Sequence, residues 1–156
     1  MASNGDAFAG TQRLTGMIGE FPRIDDRFTG LPYRYGWMLV IDPTQPVELK
    51  GGSAGGMIMN TLGMVDHKTG KEQKWWCGPV SSLQEPCFIP RSVDAPEGDG
   101  WIVMVCNRLA EHRSDLLLFD ATDIAKGPIA QIRVPIRLRF GLHGNWANAD
   151  QIGLAA

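Results

Sequence analysis

Near the end of the chain a histidine stands among glycines, in Phe140-Gly141-Leu142-His143-Gly144-Asn145-Trp146. Upstream, two glutamates occupy apolar surroundings: Glu20 in Ile18-Gly19-Glu20-Phe21-Pro22, and Glu85 in Leu83-Gln84-Glu85-Pro86-Cys87-Phe88. A buried carboxylate beside an imidazole prepares a metal ligand, because it takes the proton on one ring nitrogen and leaves the other free. The flanking glycines allow a tight backbone approach where an imidazole must point into a crowded centre, and Trp146 offers an apolar wall. A lone histidine, however, is more often packed or solvated than a ligand. A carboxylate at a strand start is likewise more often a wet loop end than a buried partner. For Glu20, Arg23 or Arg27 could serve as a plain salt-bridge partner.

The other reactive side chains form no constellation. His67 lies in a hairpin turn, Asp66-His67-Lys68-Thr69-Gly70, where solvation is expected, and His112 reads as an exposed loop residue. The three histidines fit no facial triad, and no Ser-His-Asp or Cys-His arrangement stands out. Cys77, Cys87 and Cys106 are odd in number and lack a C-x-x-C pair, so they read as reduced thiols packed as small hydrophobes. Gly51-Gly52-Ser53-Ala54-Gly55-Gly56 lacks the lysine and following helix of a phosphate-binding loop.

The elements that would position these residues are short. Glycine and proline, 19 and 10 of the 156 residues, punctuate the chain and leave little helical periodicity. Strands are expected around Tyr33–Ile41, at Thr61–Val65, at Lys71–Cys77 after the hairpin turn, and at Pro86–Pro90. Trp101–Cys106 is continuously apolar and suits a strand buried on both faces. Asp115–Asp120 and Ile129–Val134 follow. Strands at this spacing imply an all-β sandwich, barrel or propeller. A propeller blade takes about 40–45 residues, so the chain covers three to four blades at most.

Composition narrows the function. A net charge of −2 with scattered Lys and Arg argues against nucleic acid, and the alternating Arg133, Arg137 and Arg139 read as the wet face of a strand. No signal peptide and no apolar run long enough for a membrane span is seen, so a cytoplasmic protein is expected.

Several motifs together resemble the carotenoid cleavage oxygenases, in wording nearest their lignostilbene-cleaving branch. They are Glu20-Phe21-Pro22-Arg23-Ile24-Asp25 continuing through Pro32-Tyr33-Arg34-Tyr35-Gly36, Gln84–Pro90 with Asp99-Gly100-Trp101, Ser114–Asp120, and Phe140–Trp146. The likeness runs from about residue 18 to residue 147. It implies a seven-bladed β-propeller with non-haem Fe(II) held by four histidines, three of them oriented by glutamates. Carried onto this chain, His143 corresponds to the last iron ligand, Glu85 to the glutamate that orients it, and Glu20 to one orienting an earlier histidine. The other three ligands have no counterpart here.

The resemblance covers the C-terminal portion of the family pattern. The expected fold is therefore all-β, a partial β-propeller, with residues 1–17 as a polar leader and 18–156 as C-terminal blades. The expected function is part of an Fe(II) dioxygenase that splits a conjugated alkene, with an apolar conjugated small molecule and O₂ as partners. The isolated chain is expected to be inactive. The alternative is a non-catalytic β-rich fragment or interaction module from a truncated gene.

Overall fold

The computed structural model describes residues 12–48 and 59–154. Its strands are β1 (Gly19–Arg23), β2 (Tyr35–Val40), β3 (Thr61–Asp66), β4 (Lys71–Trp76), β5 (Ser81–Leu83), β6 (Cys87–Pro90), β7 (Gly100–Arg108), β8 (Arg113–Asp120) and β9 (Ala130–Val134). Short 3₁₀ turns join some of them, and no α-helix occurs among the described residues. The all-β expectation holds. The glycine-rich stretch 51–56 and residues 1–11 of the expected leader lie outside the described residues. Within the rest of that leader, Met17 is buried against Val40 and Val65.

β1 to β4 make a four-stranded antiparallel meander in chain order. The turn between β3 and β4 is set by Asp66, whose carboxylate accepts from the Lys68 and Thr69 amides, and by Gly70 at φ 71°. In the second sheet β7 is long enough to pair with β5 at one end and β6 at the other, then with β8, which pairs with β9. β1 and β5 escape the sequence pattern. One carries Pro22, which an edge strand tolerates, and the other is three residues long.

The two sheets enclose one core. Trp37, Leu39, Leu62 and Met64 from the first meet Leu83, Ile102, Met104, Leu117 and Phe119 from the second. Trp37 stacks on Phe88 with ring centroids 5.0 Å apart, and its indole N–H donates to the Ala121 carbonyl at 2.8 Å. Each large apolar side chain buried here contributes roughly 1.5–3 kcal/mol, so the sheets are firmly held together. Gln73 of β4 adds a polar tie, donating to Thr122 O at 2.7 Å and accepting from Ala125 N at 3.2 Å. β7 is not buried equally on both faces as its composition predicts. Ile102, Met104 and Cys106 face the core, whereas Trp101, Val103 and Val105 are half-buried on the far side.

Two features of this framework position the candidate site. β1 forms the edge of the first sheet, and the connection between β5 and β6 runs along the edge of the second. After β9, Pro135 ends the ladder, and the chain continues without a strand assignment as far as residue 154.

Candidate metal centre

Glu85 lies in the connection between β5 and β6, preceded by backbone hydrogen bonds from Leu83 N to Met59 O and from Gln84 N to Val105 O, both 2.9 Å. Its side chain is only 7% exposed. A buried carboxylate needs partners, and Glu85 has three. The Gly144 amide donates to Oε2 at 2.9 Å, Arg23 Nη1 stands 3.5 Å from Oε2, and His143 Nδ1 stands 3.4 Å from Oε1. The last distance is slightly longer than the 2.6–3.2 Å expected of a direct hydrogen bond.

β1 brings the opposite wall. Glu20 pairs with Leu39 and Arg23 with Trp37, so β1 holds one residue more than β2 over this interval. That is a β-bulge, and within it Phe21 takes φ 55°, a backbone region that a bulky residue rarely adopts. The Phe21 ring meets the His143 ring edge-on, with centroids 5.6 Å apart. Two residues on, the Arg23 guanidinium donates to Gly144 O at 3.1 Å and Asn145 Oδ1 at 3.2 Å, and it pairs with Asp26 at 3.2 Å. Arg23 thus joins β1, the β5–β6 connection and the C-terminal segment.

The imidazole of His143 is oriented but open, its side chain 76% exposed. With the proton on Nδ1 facing Glu85, Nε2 is left with a free lone pair, which is the form that binds a metal. One ligand does not make a metal site, however. Among the described residues no group of three or more His, Cys, Asp or Glu could hold an ion. An imidazole set against a buried carboxylate has the form a single ligand would need, and the described residues do not complete a metal site.

Glu20 stands exposed on β1 beside Phe21, and no described histidine pairs with it. Neither arginine that might have neutralised it does so: Arg23 serves Glu85 and Asp26, and Arg27 pairs with Asp25 at 2.6 Å. His67 is not solvated as expected but half-buried, its ring edge-on to Tyr33 at 5.3 Å. His112 is exposed, as the sequence suggests. All three cysteines are buried free thiols. Cys87 borders the site, and burial pushes its thiol pKa up, with the Arg23 cation opposing. A cavity of about 150 Å³ opens beneath the C-terminal segment, lined by Val103, Val105, Leu116 and Cys87 together with Glu85 and His143. Sequence reasoning missed the role of Arg23 towards Glu85, and it missed Gln84, because both reach partners far away in the chain.

The family model for retinal pigment epithelial membrane protein matches residues 2–148. The chain is 51% identical over 156 residues to lignostilbene-alpha,beta-dioxygenase isozyme III of Sphingomonas paucimobilis, covering 100% of this chain and 32% of that protein. The crystal structure of Pseudomonas brassicacearum lignostilbene dioxygenase superposes with a TM-score of 0.81 at 46% identity, over 87% of this chain and 28% of that one. A cobalt-substituted apocarotenoid oxygenase from Synechocystis gives a TM-score of 0.73 at 30% identity, over 87% and 26%. This chain therefore spans about a quarter to a third of the length of these relatives, which are β-propeller enzymes.

Proposed function

The chain belongs to the carotenoid oxygenase family of retinal pigment epithelial membrane protein, and from that membership we propose that it supplies one corner of an Fe(II) centre. The reaction would be that of its relatives' class: oxidative cleavage of a conjugated alkene of lignostilbene or carotenoid type by O₂, giving two carbonyl products. In this proposal His143 is a metal ligand through Nε2, Glu85 holds the Nδ1 proton, and Glu20 orients a histidine outside the described residues. Residues 18–156 would be the C-terminal blades. Iron, when bound, would supply the activation of oxygen. The protein's own residues fix a tautomer, hold the Glu85 side chain in place between Arg23 and the Gly144 amide, and wall the imidazole with Phe21.

The observation that supports this most is the pairing of a buried carboxylate with His143 across 58 residues of sequence, beside an edge strand that supplies an aromatic wall. The test is a segment exchange. The chain replaces the matching quarter of a lignostilbene dioxygenase, and stilbene cleavage and iron content are measured. Retained cleavage that is lost with His143→Ala is the expected result; full iron content and activity in the His143→Ala chimera would overturn the assignment. Alone, the 156-residue chain is expected to form no aldehyde from a hydroxystilbene above the rate of free iron, since its described residues supply only one histidine to the centre.

A second reading is favoured by the exposure of His143 and by the missing ligand cluster: a non-catalytic, β-rich interaction module. Tight, near-stoichiometric iron in the isolated chain after anaerobic reconstitution, abolished by His143→Ala, would eliminate it. The free thiols fit a cytoplasmic setting, and no described helix is long and apolar enough to cross a membrane.

A further inference from the structure

After Pro135 the chain crosses back over the second sheet without belonging to it, and side chains anchor its backbone there. Leu138 N donates to Ser114 Oγ at 2.9 Å; the next anchors come from Gln84 and Glu85, joined by Arg23 at Gly144 and Asn145. The Gln84 carboxamide makes two hydrogen bonds: Nε2 donates to the Arg139 carbonyl at 3.0 Å, and Oε1 accepts from the Gly141 amide at 3.2 Å. A carbonyl and an amide two residues apart are the pair that the N–H and C=O of one residue in a parallel neighbouring strand would engage. The side chain of Gln84 therefore takes the place of a missing strand. Its own backbone is fixed to β7 through Val105.

We propose that Gln84 is a positioning residue for His143: its carboxamide latches the crossing segment at residues 139 and 141, so that Glu85 meets the segment at 143 and 144. The idea rests on the reading of His143 as a ligand. It also accounts for Gly141. That residue has no positive φ, so its backbone conformation does not require glycine. A Cβ at this position would lie 2.8 Å from Gln84 Oε1, closer than atoms tolerate. The obstructing atom is the far end of a flexible side chain. An alanine can therefore be accommodated, but only if the carboxamide swings away and the latch opens. Gly144, in contrast, has nothing within 4 Å of where a Cβ would stand, so the two glycines around His143 differ in purpose.

The experiment uses the full 156-residue chain with Gln84→Met, which keeps the volume and removes both hydrogen bonds, and independently with Gly141→Ala. Three quantities are read at neutral pH: hydrogen exchange of the Gly144 amide, the tautomer of His143 from its ring nitrogen shifts, and the thermal midpoint. The expected result in both variants is Gly144 exchange faster by about five- to tenfold, with His143 passing from one tautomer to a mixture, while β7 amides keep their protection. The double variant Gly141→Ala with Gln84→Asn, whose shorter amide leaves room for the methyl, should slow exchange again relative to Gly141→Ala alone. Unchanged Gly144 exchange in both single variants would overturn the latch. Loss of β7 protection together with a fallen midpoint would also overturn it, because Gln84 would then be an ordinary structural residue. A wild-type His143 carrying its proton on Nε2 would instead sink the ligand reading, and the Gly144 exchange would still decide the latch.

Discussion

At the scale of single residues, Arg23 carries the heaviest load of contacts around the site. It offers a cation to the buried Glu85 and hydrogen bonds to Gly144 and Asn145, while its own side chain is 17% exposed. Removing it leaves Glu85 with the Gly144 amide and an imidazole as its only partners among the described residues. A carboxylate that loses its cation in a buried setting loses more than a surface pair would. Arg23→Met is therefore expected to lower stability by about 1–3 kcal/mol in chemical denaturation. Arg23→Lys should recover only part of this, because a single ammonium cannot reach Glu85, Gly144 and Asn145 at once. Full recovery by lysine would show that charge alone matters at this position.

At the scale of elements, close approach between strands is enforced by glycines that the sequence does not distinguish from turn glycines. A Cβ on Gly100 would stand 2.2 Å from the Ile89 carbonyl oxygen and 2.8 Å from the Phe88 ring, and a backbone atom cannot swing aside. Gly100→Ala should thus part β6 from β7 and cost about 1–3 kcal/mol or more, whereas Gly144→Ala should change stability by less than about 0.5 kcal/mol. Thermal unfolding of the two variants side by side checks the contrast; equal midpoints would refute it. The same elements show what was readable beforehand. β3, its Asp-His-Lys-Thr-Gly turn and β4 follow from local turn chemistry, and β7 from its apolar run. β1 and β5 could not be read, because a bulge and a three-residue length erase the alternation. Glu85 and His143 could be singled out because each sits in an unusual local setting. Arg23 and Gln84 could not, since their partners lie 121 and 55 residues away and no local pattern announces them.

At the scale of the whole molecule, ion pairs at the ends of the strands link stability to pH. Asp66 at the end of β3 receives Nε and Nη2 of Arg34 at 2.8 and 2.6 Å, as well as the Lys68 and Thr69 amides. The Arg34 hydrogen bonds hold its carboxyl well below the usual carboxylate range, against the opposing effect of burial. In the unfolded chain the same group returns to about 3.9. A folded value below the unfolded one gives stability that is fully present above the unfolded value and is lost as pH falls through the folded one. The thermal midpoint should therefore decline as pH drops below about 5, and Asp66→Asn should start lower at pH 7 and decline less steeply. Parallel curves for the two proteins would rule Asp66 out as the source. The overall architecture was legible only through its motifs, because alternating strands alone allow a sandwich, a barrel or a propeller equally well.

The bulge in β1 has a consequence for anyone who would engineer this protein for heat resistance. Phe21 holds a left-handed backbone angle at a cost of order 1–3 kcal/mol, and glycine would adopt the same angle without strain. Phe21→Gly removes that strain but also removes the ring that lies edge-on to His143 and packs against the main core. Relieved strain and lost packing are of similar size, so a screen for thermal tolerance alone would be nearly blind to this exchange, while one that rewards turnover in the segment-exchanged dioxygenase would reject it. Catalytic fitness would then govern a position to which durability is almost indifferent, because the tension in the backbone is offset by the packing of the ring it aims.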